Sequence, residues 1–400
     1  MARYLVVVAL LVSACGQATH PTAAVTPRQA AASPSASAGP SLSVGPNPSA
    51  SPHPIAPCST SNRCLVLVTL RGSDQIVIRD ITNIAHPMTV GTVDHISASD
   101  GRLVRVDWNE EVWGPTFRDR SLVTFHDVQD MFGVPVGGSA DRLPPPYPGI
   151  QEYAWSPDGK SLVFLHGESA STSPRDISLW TKGTTSLVVY TPLGTVPALG
   201  ASGCESFSNC SIPNLLDSRL LYSPDGTRIS LVINSFGGSV FRVWKADGSL
   251  LTMNDSKGIT MSVWSGNGLY FRDAAGVRVM RDGSISTFLP GVAWIKPSAS
   301  PGGGMIVYSA RDAAGWAHTY VVDTVTGKVR ELSKARTDAV FLTSRFIWYQ
   351  GERACVSSEH CGSSPAIHPL SGKTYIYDLR DGTETESLIT AVYDAWPHAA

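Results

Sequence analysis

Two segments of this chain nearly copy one another: Ala154-Trp155-Ser156-Pro157-Asp158-Gly159-Lys160-Ser161-Leu162-Val163-Phe164 and Leu221-Tyr222-Ser223-Pro224-Asp225-Gly226-Thr227-Arg228-Ile229-Ser230-Leu231. Each reads as a strand, a tight turn and a second strand. The turn residues have separate physical duties. Ser156 and Ser223 bond forward along the backbone, and Pro157 and Pro224 preset φ. Asp158 and Asp225 tolerate the bridge region, and Gly159 and Gly226 take the positive φ that ends a type I turn. Looser copies occur at Ile96–Val104 and Val263–Phe271, and further degraded ones begin near Ala293-Trp294 and at Ala339-Val340-Phe341. Short runs rich in Val, Ile, Leu, Tyr, Phe and Trp alternate with Gly, Pro, Asp, Asn and Ser, and almost no helical period is present. The body is therefore expected to be all-β and repetitive.

A further hairpin follows each of these units, as in Thr319–Asp323 with Gly327–Leu332, Thr374–Asp378 with Asp381–Thr383, and Phe241–Leu250. Four strands per unit at periods of ~40–60 residues mark the blades of a β-propeller. Outer hairpins fall near residues 76–94, 121–136, 187–199, 240–252, 277–288, 319–332 and 374–388, which predicts seven four-stranded antiparallel blades, with six or eight as alternatives. The body opens on Leu65–Leu70 with no inner strand before it and closes on Leu388–Trp396, which resembles the missing one. Terminal strands sharing a blade would seal the ring and leave no open sheet edge at the closure. The W-S-P-D-G-K-x-L motif of Trp155–Leu162 and the hairpin motif of Tyr320–Lys328 resemble the PD-type, WD-like repeats of TolB-like β-propellers, over most of residues 65–397. That resemblance implies a binding role in a cell envelope.

Ahead of the body, Arg3 supplies a positive n-region and Tyr4–Val12 an apolar run. The run is too short for a bilayer core, which needs roughly 20 residues. Val12-Ser13-Ala14-Cys15 closely resembles the lipobox of bacterial lipoproteins. The resemblance implies a signal peptide over 1–14 and diacylation of the Cys15 thiol, and two or three acyl chains hold a protein stably where one does not. Residues 16–57 contain 10 Ala, 9 Pro and 7 Ser, and Arg28 is their only Lys, Arg, Asp or Glu. Such a stretch buries too little surface to offset its chain entropy. Residues 15–57 are thus expected to be a lipidated cysteine and a disordered tether reaching ~35–40 Å as a flexible coil. Residues 58–400 are expected to form the propeller.

The other six cysteines fall into three Cys-x5-Cys pairs: Cys58/Cys64, Cys204/Cys210 and Cys355/Cys361. In an exported chain an even set of this kind reads as local disulfides. Zinc ligands usually have two to four residues between them, with a second cluster nearby. From Cys58 onward 29 Lys and Arg face 33 Asp and Glu, a formal net charge of −4 without any basic run, which argues against nucleic acid as a partner.

Nothing in the sequence names a reaction. A G-x-S-x-G elbow, a P-loop, a dinucleotide fingerprint, H-E-x-x-H and an EF-hand loop are all missing. Asp158 and Asp225 recur because the turn requires them. Glu110 and Glu111, adjacent on a strand, would point to opposite faces, which disfavours joint acid–base work. Glu359, His360 and His368 read as ordinary loop residues around the third cysteine pair, and Pro144-Pro145-Pro146-Tyr147-Pro148 as a stiff connection. Trp155, Trp244, Trp264, Trp294 and Trp348 read as blade-packing residues. No catalytic residue, cofactor or metal is expected. The expectation is a monomeric propeller, lipid-anchored on the extracytoplasmic side of the cell membrane or outer membrane. It would bind an envelope protein, peptide or glycan without catalysis. The alternative is a propeller lyase, lactonase or glycan hydrolase with its site in the central funnel. Contacts are expected in the irregular insertions 109–120, 137–150, 166–177, 200–214 and 351–372.

Overall fold

The computed structural model describes residues 58–397, except 60, 94, 98–102, 106–112, 127–130, 139–140, 144–149, 167–174, 183–187, 197–216, 236–237, 255–257, 267 and 357–366. Among the described residues the strands form seven four-stranded antiparallel sheets and one two-stranded hairpin. Blade I takes β1 (Leu65–Leu70), β2 (Ile76–Asp80) and β3 (Met88–Thr92), and the hairpin of β4 (His95–Ser97) and β5 (Leu103–Arg105) follows. Blade II is β6 (Trp113–Asp119), β7 (Leu122–His126), β8 (Met131–Pro135) and β9 (Asp141–Leu143). Blade III is β10 (Ile150–Trp155), β11 (Ser161–His166), β12 (Arg175–Lys182) and β13 (Val188–Val196). Blade IV is β14 (Asp217–Tyr222), β15 (Arg228–Ser235), β16 (Gly238–Lys245) and β17 (Leu250–Met253). Blade V is β18 (Thr260–Ser265), β19 (Gly268–Asp273), β20 (Gly276–Arg281) and β21 (Ser284–Pro290). Blade VI is β22 (Ile295–Ala299), β23 (Met305–Arg311), β24 (Ala317–Asp323) and β25 (Val329–Lys334). Blade VII is β26 (Arg336–Phe341), β27 (Phe346–Glu352), β28 (Leu370–Asp378) and β29 (Thr383–Ser387). The last strand, β30 (Ile389–Trp396), returns to pair antiparallel with β1 and supplies the inner strand of blade I. Seven blades closed by shared terminal strands match the expectation.

A propeller strand is buried on both faces, so its residues alternate between two cores rather than between core and water. In β1, Leu65 and Leu67 pack with Phe117 and Phe125 of blade II. Val66 and Val68 of the same strand pack with Leu342 and Trp348 of blade VII. In β15, Ile229, Leu231 and Ile233 meet Val163 and Leu165 of blade III, while Val232 meets Trp264 and Leu269 of blade V. This explains why runs such as Leu65-Val66-Leu67-Val68 show no alternation of polarity. Each fully buried aliphatic side chain is worth about 1.5–3 kcal/mol, and the inter-blade sandwiches hold the ring.

The two strong repeats fold identically. Ser156 Oγ accepts from Ser161 N at 2.9 Å and donates to Asp158 Oδ1 at 2.7 Å. Asp158 also takes Lys160 N at 3.1 Å, and Gly159, with φ +67°, donates its N–H to Ser156 O at 2.8 Å. Around Ser223, Asp225 and Gly226 the same four bonds measure 2.8, 2.6, 3.0 and 2.8 Å. Pro157 and Pro224 occupy the second turn position of each.

The tryptophans latch neighbouring blades as well as packing them. Trp155 Nε1 donates to Thr124 Oγ1 of blade II at 2.8 Å, and Trp264 Nε1 to Ser230 Oγ of blade IV at 2.8 Å. Trp244, Trp294 and Trp348 donate to Leu193 O, Met261 O and Ile389 O at 3.1, 3.0 and 3.0 Å. Tyr222 takes the corresponding position in blade IV. The residue matching Thr124 and Ser230 in blade III is Val163, which has no hydroxyl. The Tyr222 hydroxyl is accordingly buried without a partner, and burial pushes its pKa up.

Several expectations need correction. The hairpin at 96–104 is no inner pair, because β4 and β5 stand outside the blades. Residues 121–136 supply the central strands β7 and β8 rather than an outer hairpin, and the inner strand β6 lies within the supposed insertion 109–120. Gly114-Pro115 reads as a loop, but the register shift between Trp113 and Thr116 places it in a bulge, where the missing proline N–H costs no ladder bond. Pro297 occupies a bulge of β22 in the same way. The degraded copy assigned to Ala293-Trp294 is really Ala299-Ser300-Pro301, where Met305 N bonds Ser300 Oγ at 3.1 Å. Strand β12 begins inside the supposed insertion 166–177, and β9 inside 137–150.

Candidate functional site

Antiparallel blades give the ring two unlike faces. Connections from first to second and third to fourth strands leave one face, here the turn face, and all are short: 120–121, 156–160, 223–227, 300–304 and 342–345 are typical. Connections from second to third strands, and from one blade to the next, leave the opposite loop face. The described strands that flank the long sequence stretches 93–112, 167–174, 197–216 and 353–369 all end or begin on that face. Most residues of those segments, including Cys204, Cys210, Glu110, Glu111, Glu359, His360 and Cys361, lie outside the described residues, as do Cys15 and the segment Pro144–Pro148. Cys355 is disulfide-bonded at the start of the last segment. On the turn face, Cys58 and Cys64 are joined by a disulfide with their Cα atoms 5.5 Å apart.

At the loop-face end, six of the seven inner strands carry a register shift within their first residues; only β14 runs straight. In three consecutive blades the bulged residue is not glycine yet has positive φ: Met261 (+52°), Lys296 (+42°) and Asp338 (+55°). Such backbone costs about 1–3 kcal/mol per residue and persists where the surroundings impose it. The bulges redirect side chains: Lys296 is turned towards Asp338, whereas Met261 packs against the apolar cluster between blades V and VI. Lys296 Nζ reaches Asp338 Oδ2 at 2.8 Å, joining β22 to β26, with side chains 55% and 19% exposed. Trp294 fixes the strand before Lys296 by bonding Met261 O, and Arg272 Nη1 holds Trp294 O at 3.1 Å.

The loop face of blades VI and VII is dense in charge that the fold itself satisfies. Glu352 is fully buried, takes Ala317 N at 2.8 Å and lies 2.9 Å from Arg311 Nη2. His318 sits between Glu331 Oε1 at 3.0 Å and Asp312 Oδ2 at 3.1 Å. The His368 ring stacks on Trp316 at 3.6 Å and 11°. In blade III, His166 Nε2 lies 3.0 Å from Ser178 Oγ, and burial lowers its pKa. Among the described residues no group of three or more His, Cys, Asp or Glu side chains is placed to hold a metal ion. Asp158 and Asp225 belong to the turn face, far along their strands from the rim. The bulge residues Met261, Lys296 and Asp338 leave no mark in the sequence because they share a backbone conformation and not a side-chain type. The one trace is the proline at the bulge in Gly114-Pro115 and Lys296-Pro297.

Strand pairing and face asymmetry define the class: an all-β, seven-bladed propeller closed by its terminal strands. No family model and no curated protein matches the sequence. Solved structures with similar backbones include TolB from Acinetobacter baumannii, at 17% identity over 67% of this chain and 63% of that one, with TM-score 0.40. Others are the periplasmic gluconolactonase PpgL of Pseudomonas aeruginosa (13% identity, 83% and 98% covered, TM-score 0.48) and an oligogalacturonate lyase of Vibrio parahaemolyticus (9%, 82% and 86%, 0.49). The chain thus spans less than two thirds of that TolB. None of these likenesses carries an argument about activity, and the propeller assignment rests on this chain's own strand pairing.

Proposed function

We propose that this protein is a lipid-anchored extracytoplasmic propeller that binds a protein, peptide or glycan of the cell envelope without performing chemistry on it. The separation of the two faces is the observation that carries the reading. The chain enters the body on the turn face, where Arg120 of the β6–β7 turn donates to Ser61 O and Asn62 Oδ1 at 2.9 and 3.0 Å. The described strands flanking the long stretches end or begin on the other face, and rigid scaffolds place recognition on variable loops. The pairings of Lys296 with Asp338, of Glu352 with Arg311, and of His318 with two carboxylates support a binding surface over a set of reactive groups. Acylation of Cys15 supplies the anchor, and the body works as a monomer without cofactor or nucleic acid. Cross-linking of the full-length lipoprotein in its native envelope tests the reading. A partner is expected that the rim variant Lys296→Glu no longer captures. Recovery of no partner together with turnover of a glycan or lactone panel would replace it with the enzyme alternative.

A further inference from the structure

Blades VII and I meet at a groove of about 620 Å³ that follows β29 down to the turn face, away from the channel rim. Its floor is apolar: Ile84, Phe346 and Ile376 pack on the cluster around Trp348 and Ile389. Leu388 lines the same groove while 64% exposed. Two guanidinium groups stand in its wall, and they differ. Arg345 donates to Asp378 Oδ1 and to Asp381 Oδ2, both at 2.8 Å. Arg79 pairs with no carboxylate among the described residues. Its Nη2 donates to Pro87 O at 2.5 Å, and its Nε is buried with no acceptor. Burial without an opposing charge lowers its pKa. A half-buried cation without an opposing charge is costly, and a carboxylate in the groove would supply that charge to the exposed part of the guanidinium fork.

We propose that this groove docks an extended peptide segment of a partner protein, pairing a carboxylate with Arg79 and covering Leu388 and Phe346 with a neighbouring apolar side chain. Three features favour a peptide over a free anion. The apolar floor adjoins the cation, so one occupant must carry both chemistries. The groove has the volume of a specific site, typically ~300–1,000 Å³. Strand β29 is the outer edge of its blade, and an edge strand offers backbone donors and acceptors to an added strand. The site lies apart from the loop face, so it stands or falls independently of the proposed rim partner.

The test uses the full-length chain in detergent and fluorescein-labelled octaserine peptides whose two central residues are Leu-Asp or Leu-Asn, read by anisotropy. The Leu-Asp peptide is expected to bind at least about tenfold more tightly than Leu-Asn. Arg79→Gln should bring the two within about twofold of one another. Leu388→Ser, a change at an exposed position that leaves the fold intact, should weaken the Leu-Asp peptide by about threefold or more. Equal binding of the two peptides to the wild-type protein, or binding of neither, overturns the proposal. Displacement of the Leu-Asp peptide by inorganic phosphate as effectively as by the unlabelled peptide overturns it too, because the site would then be one for free anions. Lys296→Glu at the rim should leave all of these values unchanged.

Discussion

Asp394 tests how the ring is held shut. It lies in β30, and its Oδ2 accepts Thr116 Oγ1 at 2.6 Å and Phe117 N at 2.7 Å from β6. The closing strand is therefore tied forward to blade II as well as paired to β1. The same reach recurs elsewhere: Glu152 Oε1 accepts Leu220 N at 3.4 Å, and Ser298 Oγ accepts Phe341 N at 3.2 Å. In Asp394→Ala the N–H of fully buried Phe117 loses its acceptor, and Thr116 loses a charge-assisted partner. An orphaned buried donor costs about 1–3 kcal/mol, and a hydrogen bond to a charged group is worth about 1.5–3 kcal/mol. Thr116 can turn to water, so the predicted loss is about 3 kcal/mol. With ~2.1 cal/mol/K of unfolding entropy per residue, a body of roughly 340 residues changes by ~0.7 kcal/mol per degree. The expected fall in Tm is then about 4 °C, followed by circular dichroism. Asp394→Asn keeps an acceptor oxygen and should recover at least half of it. An alanine variant melting within about 1 °C of the wild type would refute the reasoning.

Three further predictions follow from single sites. Tyr222→Phe removes a buried hydroxyl that has no partner, so its unfolding free energy in urea titrations should hold or rise by up to about 1 kcal/mol, whereas Trp264→Phe, which strips the bond to Ser230, should lose stability. A lower midpoint for Tyr222→Phe would show that its hydroxyl is bonded after all. Hydrogen bonds from Arg345 hold the Asp378 carboxyl at about 2, below its ordinary 3.8. Because the folded value is the lower one, the stabilisation is complete above pH ~4 and drains away as pH falls towards 2; Tm measured against pH should show that acid limb flattened in Asp378→Asn, and identical limbs would disprove the linkage. Cys15→Ala should abolish fatty-acid labelling and release the body from membranes, and labelling that survives would remove the anchor from the account.

Much of the fold is written in contiguous residues. The turn at Ser156–Gly159 is specified by neighbours whose shaping bonds run only among Ser156, Asp158, Gly159, Lys160 and Ser161, so its copy at Ser223–Gly226 can be recognised without any tertiary knowledge. Outer hairpins are equally local, as with Gly327 and Gly382, both at positive φ in their turns. Blade II misled for a physical reason: Gly114-Pro115 is loop chemistry that a bulge also tolerates, and only the pairing of β6 with β7 separates the two. Periodicity cannot register a bulge, which left Met261, Lys296 and Asp338 unmarked.

By itself the sequence determined an all-β chain of repeated four-strand units with a closing strand at its end, and left seven blades as the leading count over six or eight, because turn chemistry and hairpin pairing act over a few residues. Only the tertiary structure decided which face carries the long segments, which inner strands bulge, and that Arg79 and Leu388 share one groove. Those features depend on the ring closing through β1 and β30. Closure brings together residues from opposite ends of the body, and no local pattern encodes what they meet there.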